Sequence, residues 1–104
     1  MAHRAYELNM GIIDKILRRK RVDPGERRRF LLAQGRITDG VILDSQIDGS
    51  GDEIIFYLYT LNGVDFESSD ILTDEQRRDP VKYAPGARVG IRYDTKNQGN
   101  SIVE

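Results

Sequence analysis

The sequence predicts an α+β fold, with one or two N-terminal helices followed by a small five-stranded antiparallel β-barrel. Three observations carry that expectation. Apolar residues recur at helical spacing only in the first third of the chain. After Gly35 the pattern becomes β-branched, aromatic and alternating. Turn signals then separate short extended runs, and consecutive short strands are best served by closure, which removes exposed sheet edges. The expected division is a helical segment over residues 1–34 and a barrel over residues 35–104, within the size of one compact domain.

The first element is an amphipathic helix over residues 4–19. Ala5, Tyr6, Met10, Ile12, Ile13, Ile16 and Leu17 fall within one wide arc, and Glu7, Gly11, Asp14 and Arg18 fill the opposite face. A second short helix is expected over about residues 24–34. Asp23 is its cap, Pro24 its first residue, Glu26 stands three after the cap, and Gly35 is the stop.

"RITDGVILDSQI" starts the extended part, and "GSGD" (residues 49–52) is a turn. "EIIFYLYTL" (residues 53–61) is the strongest strand and is nearly continuous in apolar character, as a strand covered on both faces would be. Asn62 and Gly63 then form the best hairpin signal in the chain, since a type I′ turn needs positive φ at both central residues. In "VDFESS", Val64 and Phe66 share one face and Asp65 and Glu67 the other. Residues 70–86 read as a long connection with one helical turn. "ARVGIRYD" alternates again, with Val89, Ile91 and Tyr93 inward and Arg88 and Arg92 outward, and "SIVE" closes the sheet.

Composition narrows the chemistry. The chain has no Cys, hence no disulfide, thiolate nucleophile or cysteine metal site, and its one His stands at position 3. A Ser or Thr nucleophile therefore lacks an evident base, and no carboxylate spacing selects an acid–base pair. No enzyme is expected, and no catalytic, cofactor or metal residue is assigned. "DSQIDGSGDE" departs from the calcium-loop pattern, and Asp and Gly are ordinary turn residues. The longest apolar run, Ile54 to Tyr59, is six residues long; a bilayer needs about 20. Without a transmembrane span or a signal peptide, a cytoplasmic location is the expectation.

Two groups are candidates for binding. Seven basic residues crowd residues 16–30: Arg18, Arg19, Lys20, Arg21, Arg27, Arg28 and Arg29. They form the candidate polyanion-binding set. On helices, however, neither run makes the one-sided stripe that tracking a phosphate backbone favours, so a solvated face or intramolecular docking is the leading reading. Tyr57 and Tyr59 share one face of the second strand. They suit the core or a helix-docking surface better than base stacking, because the surrounding body is acidic. Residues 1–36 carry ten Lys or Arg and four Asp or Glu, and residues 37–104 carry six and thirteen. A basic arm on an acidic body invites docking of one on the other, within a chain or between two.

From Gly35 onward the stretches "GRITDGVIL", "IIFYLYTLNGVDFES" and "APGARVGIRYDTKNQGNSIVE" resemble a family of uncharacterised bacterial small β-barrel domains, many of them attached to membrane-spanning helices. Thr95 and Gln98 stand where that family tends to have proline. The resemblance implies a fold and no catalytic residues. The expected function is a non-enzymatic interaction module for a protein partner, with a homodimer as the favoured form. The alternative is binding of nucleic acid or an anionic membrane surface through the basic N-terminal helices.

Overall fold

The computed structural model describes residues 23–104. The amphipathic helix expected over residues 4–19 lies outside the described residues. Helix α1 spans Pro24–Gln34. The Asp23 carboxylate accepts the N–H groups of Gly25 and Glu26 (3.1 and 3.2 Å), two of the donors a helix start leaves unpaired. The helix stops at Gly35, whose N–H donates to the Leu31 carbonyl at 2.8 Å. A Cβ on Gly35 would stand 2.5 Å from the Leu31 carbonyl oxygen and 3.1 Å from that of Tyr93. Glycine is required there by close approach, since its φ of −74° is open to any residue.

Five antiparallel strands follow: β1 (Arg36–Ile47), β2 (Glu53–Leu61), β3 (Val64–Ile71), β4 (Arg88–Asp94) and β5 (Asn97–Val103). Their order is β3-β2-β1-β4-β5, and the sheet curls into a nearly closed barrel. A bulge between Ile42 and Asp44 leaves Leu43 without a register partner and bends β1. The β2–β3 hairpin turns on Asn62 and Gly63, with φ of 51° and 81°, the left-handed geometry the Asn-Gly pair supplies cheaply. Between β3 and β4 one helical turn, α2 (Asp74–Arg77), is closed by a reciprocal capping box of Thr73 and Gln76.

The core is the barrel interior: Ile42, Ile55, Tyr57, Tyr59, Leu61, Val89, Ile91 and Val103, capped by Leu72 and Tyr83. Tyr59 stacks between Phe66 (ring centroids 5.3 Å apart) and Tyr93 (6.5 Å). Leu31 and Ile102 are buried outside that cluster, where α1 rests on β4 and β5.

Two strand bounds and two burial readings need correction: β3 runs on to Ile71, and β5 begins at Asn97 rather than Ser101. β2 is not covered on both faces: Ile55, Tyr57, Tyr59 and Leu61 are buried, while Ile54, Phe56 and Leu58 alternate with them as half-buried outer residues. Val64 does not share Phe66's cover and is 54% exposed, because it sits at the barrel rim next to the hairpin turn.

Candidate functional site

The barrel does not close by a backbone ladder. Among the described residues β3 pairs only with β2, and β5 only with β4, so a seam runs between the two end strands. Side chains bridge it. Extending the alternation of β3 past Phe66 puts Ser68 and Asp70 inward, opposite Tyr57 and Ile55. Asp70 Oδ2 accepts the Val103 N–H of β5 at 3.0 Å, and Oδ1 accepts its neighbour's, Ile71 N–H, at 2.9 Å. Deeper in, the Tyr57 hydroxyl and Ser101 Oγ are 2.7 Å apart. The Tyr59 hydroxyl donates to the Gln98 carbonyl.

Two of the basic residues complete the seam from outside. Arg27 Nε donates to Asn100 Oδ1 at 2.8 Å, and its Nη2 donates to the Ser101 carbonyl. Arg28 Nη1 donates to the Val103 carbonyl at 3.0 Å, an oxygen that also accepts Gln76 Nε2 at 3.0 Å. An unpaired buried carbonyl is costly, so these donors satisfy the edge of β5 that no strand covers. Arg29 is exposed. The structure thus brings Arg27 and Arg28 together with β5, and Arg18, Arg19, Lys20 and Arg21 lie outside the described residues. Tyr57 and Tyr59, 0% and 2% exposed, face the barrel interior and present no ring surface for an outer helix to dock on.

Above the seam lies a groove of about 550 Å³ between the start of α1 and the end of β3. Pro24, Gly25 and Arg28 form one lip, and Ile54, Ile71 and Leu72 the other. Its lining is mainly apolar, with Asp70 at its floor beside the two arginines. The groove shares Ile54 and Ile71 with the outer wall of β1, β2 and β3. Register places Val41 beside Leu58 and Ile54 beside Ile71 on that wall, with Phe56 between them. Asp44 lies opposite Phe56, Glu67 opposite Leu58 and Asp65 opposite Thr60, so the apolar strip has an acidic rim. Sequence reasoning took the apolar outer positions of β2 for buried ones; only the pairing shows that they form a wall.

Burial raises the Asp70 carboxyl above its ordinary value of 3.8, against the opposing pull of the backbone hydrogen bond from Val103 and the charges of Arg27 and Arg28. A raised folded-state value means that the folded chain holds the proton more tightly than the unfolded chain. Asp70's contribution to stability is therefore full below pH 3.8 and is lost as pH rises through the folded-state value. A carboxyl ¹³C titration should place Asp70 above 3.8, and the stability of the wild type relative to Asp70→Asn should fall as pH rises from there. A carboxyl titrating below that value would contradict this account of the seam. Burial likewise raises the hydroxyls of Tyr57 and Tyr59. Asp48 moves the other way: hydrogen bonds, the Ser50 hydroxyl's first, lower its value and use it to tie the β1–β2 turn.

Among the described residues no helix is long and apolar enough to cross a membrane. No group of three His, Cys, Asp or Glu among them is placed to hold a metal ion. No curated protein and no solved structure matches the chain. A family model does match residues 33–104, from the last turn of α1 to the end of the described barrel. That span covers all five strands and both sides of the seam, and the chain belongs to the family it defines, the domain of unknown function DUF3592.

Proposed function

We propose that the chain is a non-enzymatic interaction module whose barrel receives the apolar face of a helix on its β1–β2–β3 wall and in the adjoining groove. The observation that carries this reading is β2 itself. Its inner positions fill the core, yet its outer positions Ile54, Phe56 and Leu58 are apolar too, and exposed Ile71, paired with Ile54, extends them. A strand that only closed a barrel would carry polar residues there. Apolar patches rimmed by charge mark interaction surfaces. The polyanion reading finds less support, because Arg27 and Arg28 donate to the chain's own β5 rather than to solvent.

The test is amide shift mapping on the full chain. The probe is a synthetic, uncharged helical peptide with apolar residues at i, i+3, i+4 and i+7, used at millimolar concentration. Saturable shifts are expected at Ile54, Phe56, Leu58 and Ile71. Phe56→Asp should weaken binding by about tenfold or more, the cost of setting a charge against an apolar partner. Shifts confined to other surfaces, or none even when residues 4–17 carry the acidic substitutions described below, would overturn the reading.

A further inference from the structure

We infer that the occupant of this wall is the chain's own leading segment, residues 4–17, lying back across β1, β2 and β3. The inference rests on the helix-receiving role proposed above. Four observations point to this occupant.

The first is continuity. Pro24 and Gly25 form a lip of the groove whose other lip includes Ile54 and Ile71, so the described chain begins beside the wall. Residues 18–22 span at most about 17 Å when extended, enough to reverse direction over one helix width, and helix–helix connections of this length are common.

The second is pattern: Tyr6, Met10, Ile13 and Leu17 recur at helical spacing and leave one side apolar. The third is size. A 14-residue helix is about 21 Å long and 10–12 Å wide. The wall runs about 10 Å across three strands and about 13 Å along β2 from Ile54 to Leu58, so one helix covers it.

The fourth is charge. Residues 1–22 hold six Lys or Arg and two Asp or Glu, and four of the basic residues fall in the 18–21 connection. The outward positions of the wall carry Asp44, Asp65 and Glu67, with Arg88 set apart beside Val41. A short tether gives the segment an effective concentration in the millimolar range, so docking within one chain outcompetes docking onto a second copy at ordinary protein concentrations.

The chain contains no Cys, so a single spin label can be attached at Gln46→Cys, an exposed position on β1 opposite Ile54. In the labelled full chain, amides of residues 10–17 should lose intensity, and Phe56→Asp should restore it. A mixture of labelled unenriched chain and unlabelled ¹⁵N chain should show no such loss. Loss in the mixture would assign the wall to a second copy, and no loss in either would leave it to a foreign partner; both overturn the inference.

The helical probe separates this failure from that of the proposed function. Full-length Ile13→Asp/Leu17→Asp should bind the probe at least about tenfold more tightly than wild type, because the competing segment is released. Equal binding by both would defeat the inference and leave the receiving wall intact. Binding by neither would defeat the wall and the inference together.

Discussion

Tyr57→Ala should leave the chain only marginally stable at 25 °C, with about 0–2 kcal/mol of its stability remaining. The ring is 0% exposed, sits at the centre of β2 and stacks 6.0 Å from Tyr59. Truncating a buried aromatic side chain costs about 3–5 kcal/mol, from lost transfer energy plus the cavity that stays behind. A barrel of this size has a total stability near the low end of about 5–15 kcal/mol. The hydroxyl adds a separate component through its hydrogen bond to Ser101 across the seam. Tyr57→Phe isolates it and should cost about 1 kcal/mol, a typical net value for one hydrogen bond plus the exposure of its partner. Urea denaturation followed by circular dichroism reads both. A loss below about 1.5 kcal/mol for the alanine variant would mean that neighbouring rings collapse into the space and that Tyr57 is not the centre of the core.

The strands were readable because their signals are local. Asp23-Pro24 announces α1, Asn62-Gly63 announces the β2–β3 turn, and Val89, Ile91 and Tyr93 alternate in β4 as their register requires. The seam was less readable. Asp70 sits at the end of a Phe66–Ser68–Asp70 alternation that the sequence displays, so its inward direction was available, but its partner Val103 is 33 residues away. Thr73 and Gln76 carry a capping-box spacing that was equally visible in sequence. What periodicity cannot supply is that β5 stops short of pairing with β3, leaving carbonyls that arginines must meet. For the basic cluster a solvated face and intramolecular docking stayed undivided, because helical angles alone say nothing of what the helix lies against.

Arg27→Ala should be the most damaging of the arginine substitutions, and it decides what that cluster is for. Arg27 bridges two elements about 74 residues apart in sequence: its Nε reaches the Asn100 side chain and its Nη2 the Ser101 carbonyl. Hydrogen bonds from a charged donor are worth about 1.5–3 kcal/mol each, and partial exposure of the guanidinium reduces that figure, so a loss of about 2–3 kcal/mol is expected. Arg27→Lys should recover little of it, because an ammonium cannot match the fixed fork that serves two acceptors on one strand. Arg29→Ala, at an exposed position of the same helix, should fall within about 0.5 kcal/mol of wild type. Thermal unfolding of the three variants gives the comparison, and heparin retention of the same proteins supplies a second, independent axis. If the arginines serve the fold, Arg27→Ala lowers stability and heparin retention barely responds. If they serve a polyanion, Arg27→Ala and Arg29→Ala weaken retention alike, the charge-keeping Arg27→Lys weakens it least, and Arg27→Ala melts with wild type; that pattern would remove the physical basis for treating the seam as a structural clasp.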